Sequence, residues 1–152
     1  GRGISRVLLV VLIFMVVILS SAKNGQRIQL HKMSSYKNLD IYNVTFSLAL
    51  KIHRLSMNLP NHDKYEAGSQ IRRSSQSIKD NIVEGYGRRR YKADFIKFLI
   101  ASHSSCLEAT SQAEFLAELY PEKGWLEIAR DLDKAGIKIH NFINYVEKNW
   151  KT

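Results

Sequence analysis

Apolar residues recur every three or four positions through most of this chain, and this spacing constrains the fold more than any other feature. It is the spacing of one face of an α-helix, which has about 3.6 residues per turn. The pattern is most regular near the end of the chain, where one stripe contains Trp125, Ala129, Leu132, Gly136, Ile139, Ile143, Val146 and Trp150. A stripe of this length predicts a long helix that packs in a bundle.

Three more helices are predicted before this one. The first ends before Pro60, which cannot donate a helical hydrogen bond, and its predicted inward face is Leu39, Tyr42, Phe46, Leu50, His53 and Met57. The second runs from about Lys64 to Glu84, and its predicted inward residues are Ile71, Ser75, Ile78 and Ile82. The third runs from about Tyr91 to Leu119, and its predicted stripe is Phe95, Leu99, Ser102, Cys106, Ala109, Ala113 and Leu116.

Residues 33–152 are therefore predicted to form one all-α domain, an antiparallel up-down-up-down four-helix bundle, because short connections make consecutive helices run antiparallel. Two prolines and eight glycines are too few for a turn-rich β fold, and a single cysteine excludes an intramolecular disulfide framework. The last helix has a second apolar line, which predicts that a partner subunit covers it: Ile128, Ala135 and Phe142.

Residues 1–32 form a separate hydrophobic extension. They contain five basic residues and no acidic ones, and Val7–Ala22 is apolar and ends in small residues, as a signal sequence does. Three interpretations stay open, namely a translated upstream stretch, an export signal and a membrane anchor. We favour the first because Met33 begins the polar sequence that starts the helical region. We therefore expect a cytoplasmic protein, and an exported or membrane-anchored one if residues 7–22 act as a signal.

The residues that usually carry catalysis or bind metals do not form a recognisable pattern. The five histidines lack the spacing of known metal motifs, and Cys106 falls on the predicted core stripe. The sequence has no glycine-rich phosphate loop after a predicted strand. The candidate segment, Gly85-Tyr86-Gly87, instead follows a helix and is predicted to end it with a left-handed cap. We therefore expect no enzymatic activity, no metal and no cofactor.

Positive charge is concentrated in one part of the predicted bundle. Residues 33–152 contain 18 basic and 14 acidic residues, a net charge of +4, and the segment Gln70–Lys97 alone has a net charge of +5. The basic residues predicted to contact phosphates are Arg72, Arg73, Arg88, Arg89, Arg90, Lys92 and Lys97. A second explanation needs no ligand, because cations after a helix C-terminus are stabilised by the helix dipole.

The segment Lys64–Ala109 resembles the signature of bacterial four-helix bundle proteins, also called 23S rRNA intervening-sequence proteins. The resemblance is carried by Gln70-Ile71-Arg72-Arg73, Ser77-Ile78, Asn81-Ile82, Glu84-Gly85, Gly87-Arg88, Phe95-Ile96-Lys97-Phe98-Leu99 and Ser104-Ser105 followed by Glu108. The chain departs from the family pattern at Ser74-Ser75-Gln76 and at Lys79-Asp80, which changes the polarity of the second helix.

This resemblance implies a homopentameric ring without known enzymatic activity. The chain is also similar to the accessory variability determinant of diversity-generating retroelements, a basic pentameric bundle that binds nucleic acid and a reverse transcriptase. We expect an oligomeric module associated with ribosomal or other structured RNA.

The alternative is a protein-protein scaffold or accessory subunit in which the arginines are structural. In that case Glu84 and Asp94 would form salt bridges with the arginines, and Arg73, Asn81 and Glu84 would form a hydrogen-bonded network. Gly85 and Gly87 would then have structural or interface roles.

Overall fold

The computed structural model describes residues 35–151 together with Ile13, Met15 and Val16. The chain divides into two compact units, Gly1–Asn38 and Leu39–Thr152. In the first unit, Ile13, Met15 and Val16 are helical and Tyr36–Asn38 form a 3-10 turn. The predicted boundary at residues 32/33 and the signal or anchor role of residues 7–22 lie outside the described residues, apart from these three positions.

None of the helices in the described part of the chain is both long enough and apolar enough to cross a membrane.

The second unit is a bundle of four long helices, and the described residues contain no strand. The helices are α1 (Asp40–Met57), α2 (Ala67–Gly87), α3 (Lys92–Leu119) and α4 (Trp125–Asn149). Each helix packs on its neighbour in the chain, and α4 returns to pack on α1. The prediction of an all-α four-helix bundle is confirmed.

Local chemistry explains where the helices are interrupted. Pro60 ends the first connection, and a short helix, Asn61–Tyr65, begins directly after it. Glu66 separates this short helix from α2, so the second predicted helix is divided in two. Gly124, between α3 and α4, has a φ of 84°, a left-handed conformation that glycine adopts without strain.

The inward faces predicted for α2, α3 and α4 are confirmed. All the predicted residues of these faces are buried, apart from Trp150, which is half-buried just beyond α4. Cys106 lies in this core and donates through Sγ to the carbonyl oxygen of Leu132, at 3.2 Å. The core positions of these three helices therefore follow the helical period.

The inward face predicted for α1 is mostly wrong, since Leu39 is its one buried member. Phe46, Leu50 and Met57 are exposed by 40–43%, and the residues of α1 that are buried are Ile41, Thr45, Leu48, Ala49, Ile52 and Ser56. The polar members of this face donate to backbone carbonyls of their own helix, Thr45 to Ile41 at 2.7 Å and Ser56 to His53 at 2.8 Å. These hydrogen bonds offset the free-energy cost of burying the two hydroxyl groups. The helix α1 is therefore left with a second apolar face, which is exposed to solvent.

The left-handed cap predicted at Gly85-Tyr86-Gly87 is also wrong. The helix α2 continues to Gly87, and among the described residues only Gly124 has a left-handed conformation. Gly85 is buried where α2 meets α3, and a Cβ there would lie 2.9 Å from Cβ of Phe98. The absence of a side chain at Gly85 therefore allows α2 and α3 to approach closely.

Gly85→Ala is expected to lower the free energy of unfolding by about 1–3 kcal/mol, because a methyl group overpacks the contact with Phe98. Gly87→Ala is the matched control, since a Cβ at Gly87 has no heavy atom within 4 Å. It should leave stability unchanged or raise it slightly, because alanine favours a helix. Urea unfolding followed by circular dichroism measures both variants, and equal stabilities would contradict the close approach.

Candidate nucleic-acid interface

The basic residues predicted as one phosphate-binding set lie at opposite ends of the bundle. Arg72 and Arg73 are in the second turn of α2, whereas Arg88 follows its last residue. Arg72 and Arg88 are 16 positions apart along the helix, which corresponds to about 24 Å. The structure therefore divides the predicted set into two groups.

Arg72 holds secondary-structure elements together. Its side chain is half-buried, Nη1 donates to Oγ of Ser56 at 2.9 Å, and Nη2 donates to the carbonyl oxygen of Lys64 at 3.0 Å. These bonds connect α2 with the end of α1 and with the short helix. Arg72 therefore has a structural role, whereas the neighbouring Arg73 is exposed.

The second group gains residues from the end of α4. Nε1 of Trp150 donates to the carbonyl oxygen of Arg89 at 3.0 Å, and Nζ of Lys92 donates to the carbonyl oxygen of Glu147. These contacts place the last turn of α4 beside the α2–α3 connection. The exposed Lys148 in that last turn and Lys151 just beyond it therefore join the residues of the α2–α3 connection in what we call the basic end, which consists of Arg88, Arg89, Arg90, Lys92, Lys148 and Lys151.

Lys148 and Lys151 are not among the predicted phosphate contacts, although cations are favoured at and just beyond the last turn of a helix. Lys97 is among them, and it is exposed in the second turn of α3, outside the basic end as defined here.

Every arginine of the basic end lies over an aromatic ring. The guanidinium carbon of Arg88 is 5.1 Å from the ring centroid of Phe98, and that of Arg90 is 5.9 Å from that of Tyr91. The closest pair is Arg89 with Tyr86, at 4.0 Å, where Nη1 of Arg89 also donates to the carbonyl oxygen of Tyr86 at 2.9 Å. Cation–π contacts of this kind fix the orientation of a guanidinium group.

Most cations of the basic end are not paired with a carboxylate. Arg88 pairs with Glu84 at 3.0 Å. The other ion pairs of the described residues involve Lys51, Lys79 and Lys138. Thus Arg90, Lys148 and Lys151 have no carboxylate within 4 Å in the part of the chain that the structure describes, and they remain available to an anion.

The structural alternative for the arginines is realised only in part. The pair of Arg88 with Glu84 forms as that alternative predicts, whereas Asp94 makes no ion pair with any described residue. The network of Arg73, Asn81 and Glu84 does not form, because the amide of Asn81 donates to the carbonyl oxygen of Ser77 at 2.8 Å and to its Oγ at 3.0 Å. Oγ of Ser77 in turn contacts Oγ of Ser105 on α3 at 2.9 Å, so Asn81 supports the α2–α3 contact.

The described residues contain no group of three or more His, Cys, Asp or Glu side chains that could hold a metal ion. The rings of His103 and His140 are 6.0 Å apart, and they line a small pocket of about 190 Å³ beside Cys106.

Cys106 is expected to resist alkylation in the folded protein. Burial, together with the negative charge of Asp133, raises the pKa of its thiol to about 11, so the reactive thiolate is scarce at pH 8. Iodoacetamide at pH 8 should leave the native protein unmodified and label it in concentrated guanidinium chloride, as read by mass spectrometry. Rapid labelling of the native protein would show that Cys106 is accessible.

Comparison with known proteins adds a family and a structural neighbour. Residues 37–123 match the 23S rRNA-intervening sequence protein family. A crystal structure of a protein with unknown function from the S23 ribosomal protein family of Bacteroides thetaiotaomicron VPI-5482 superposes with a TM-score of 0.61 at 24% identity, covering 68% of this chain and 95% of that chain. At this identity the likeness shows the fold alone. No curated protein matches the chain.

Proposed function

The chain belongs to the 23S rRNA-intervening sequence protein family, and we propose that it is a non-enzymatic, oligomeric module that binds structured RNA in the cytoplasm through its basic end. The observation that carries this proposal is the set of exposed cations without carboxylate partners, namely Arg90, Lys148 and Lys151. RNA presents a regular line of phosphates, and cations that no acid neutralises bind it by releasing counterions.

A single protomer carries little charge for this task. The net charge of residues 33–152 is +4, so one basic end would hold RNA weakly. Several copies in one assembly would present several basic ends to the same RNA and raise the affinity by orders of magnitude. RNA binding and assembly therefore belong to the same proposal.

The exposed face of α3 supports assembly. This helix buries one stripe in the core, and on its other side large apolar residues are exposed by 47–59%: Ile100, Leu107, Phe115 and Leu119. α3 already packs on α2 and α4 through its buried stripe, so covering its exposed apolar side requires a partner outside the protomer. We propose that a second copy of the chain covers this face, in a ring for which the family resemblance suggests five members.

The predicted assembly surface on α4 requires a correction. Ile128 and Ala135 are buried within the protomer, and Phe142 is half-buried. These residues pack inside the bundle and do not need a partner subunit. We therefore assign assembly to the exposed apolar face of α3 instead of to this line on α4.

A protein-binding scaffold is the second candidate function. It is favoured by the exposed apolar face of α1, with Phe46, Leu50 and Met57, and by the structural contacts of Arg72 and Arg88. An apolar interface would bind its partner almost independently of salt, whereas phosphate binding weakens steeply as salt is added.

Fluorescence anisotropy with a labelled ribosomal RNA hairpin tests the proposal on the full chain. Engagement of about four phosphates would weaken binding about 100-fold between 50 and 200 mM salt. Size-exclusion chromatography with light scattering on the same sample measures the number of copies. A folded oligomer that does not bind the hairpin at low salt would contradict the proposal of RNA binding and favour the protein-binding scaffold.

A further inference from the structure

We propose that the basic end recognises unpaired RNA nucleotides, with bases stacked on Tyr91 and on the guanidinium group of Arg89. This inference rests on the proposed RNA-binding function and specifies the form of RNA that the site takes. The preference for unpaired nucleotides depends on the aromatic rings of Tyr86, beneath Arg89, and Tyr91, beside Arg90. RNA binding itself depends on the charge of the arginines.

The two stacking surfaces differ in construction. The ring of Tyr86 is buried, with 5% of the residue exposed, and Arg89 lies 4.0 Å above its centroid. The ring is therefore closed to a base, and the surface offered at this position is the outer side of the Arg89 guanidinium. The guanidinium of Arg89 donates a hydrogen bond to the carbonyl oxygen of Tyr86, and the backbone carbonyl oxygen of Arg89 accepts one from Trp150. These two bonds hold Arg89 in place.

Tyr91 provides the second surface directly. It precedes α3 in an extended conformation, with φ of −106° and ψ of 107°, and it is 61% exposed. Arg90 lies near the ring at 5.9 Å, at the outer limit of a cation–π contact, and is itself exposed. A large aromatic side chain in solvent beside unpaired cations has the composition of a stacking platform for single-stranded nucleic acid.

Base pairing decides whether these surfaces can be used. In an A-form duplex the bases are stacked on one another, and the deep, narrow major groove excludes side chains. Duplex RNA would therefore meet only the charges of the basic end. Unpaired nucleotides, such as those of a loop or bulge, offer both phosphates and free base faces, so they should bind more tightly at equal length and salt.

The test compares a 12-nucleotide single-stranded RNA with a blunt duplex of the same length, binding to the full-length protein at one salt concentration. Tyr91→Leu removes the aromatic ring and keeps an apolar side chain. Tyr65→Leu is the matched control, because Tyr65 is 71% exposed and lies in the short helix between α1 and α2. Arg89→Lys keeps the charge and removes the planar guanidinium group proposed to stack on a base, and circular dichroism verifies that each variant is folded.

Tyr91→Leu is expected to weaken single-strand binding about tenfold, the effect of losing one stacked base, and to leave duplex binding within twofold. Arg89→Lys should weaken single-strand binding and preserve duplex binding, and Tyr65→Leu should change neither affinity. Wild-type affinity of Tyr91→Leu for the single strand, or an equal loss for both RNAs, would overturn the stacking inference while leaving RNA binding intact. Failure of the wild type to bind either RNA would instead remove the proposed function itself.

Discussion

Phe95→Ala is expected to lower the free energy of unfolding by about 4 kcal/mol, which is the usual cost of truncating a fully buried phenylalanine. The side chain of Phe95 is completely buried. Its ring contacts those of Phe142 and Trp150 edge to face, with centroids 6.0 and 5.4 Å apart. It also lies against Gly85, at a close contact between α2 and α3. One substitution therefore removes packing between α2, α3 and the end of α4.

Thermal and urea unfolding at a fixed protein concentration measure this loss, and the melting temperature should fall by about 15 °C. Tyr65→Ala is the aromatic control, because Tyr65 is 71% exposed, and its effect should stay within about 0.5 kcal/mol. If Phe95→Ala cost less than about 1 kcal/mol, the described packing at this end of the bundle would be incorrect.

Replacing all three arginines of the basic end with alanine, as Arg88→Ala, Arg89→Ala and Arg90→Ala together, is expected to weaken RNA binding about 100-fold. The estimate assigns on the order of 1 kcal/mol to each lost charged contact with a phosphate. Arg88 already forms an ion pair with Glu84, so most of the loss of RNA affinity should come from replacing Arg89 and Arg90. Anisotropy with the ribosomal RNA hairpin at 50 mM salt measures the affinity.

The control for this variant removes the same charge from the opposite end of the bundle. Arg54, Lys123 and Arg130 are all exposed, and they lie in the last turn of α1, the α3–α4 connection and the second turn of α4. Changing them to alanine should weaken binding less than threefold, because net charge acts only through long-range attraction. Equal losses for the two triple variants would mean that RNA binding follows net charge and has no defined site.

The sequence predicted most of the core because the buried stripes of α2, α3 and α4 keep a regular helical spacing, although α3 is also apolar on its exposed side. It failed on α1, where two apolar stripes compete and where the buried one includes Thr45 and Ser56. A hydropathy pattern counts these residues as polar, whereas in the structure their hydroxyl groups are satisfied by their own helix. The cap predicted at Gly85 failed for a related reason, since glycine there serves a contact with a distant segment.

The candidate site was predictable only where it is contiguous in the chain. The run Arg88-Arg89-Arg90 is visible in the sequence, but Lys148 and Lys151 join it through contacts of Trp150 and Lys92 across more than 50 residues of chain. Charge alone groups Arg72 with this run in the sequence. Its two hydrogen bonds to Ser56 and Lys64 are tertiary contacts that no local pattern reveals.

The most direct test of RNA binding through the basic end is the slope of log affinity against log salt concentration, compared between the wild type and Arg90→Ala. Arg90 is exposed and has no carboxylate partner in the described part of the chain, so it should contact a phosphate. Losing that contact should reduce the slope by about 1 for each basic end that touches the RNA. A wild-type slope near zero, or an identical slope in the variant, would contradict the account.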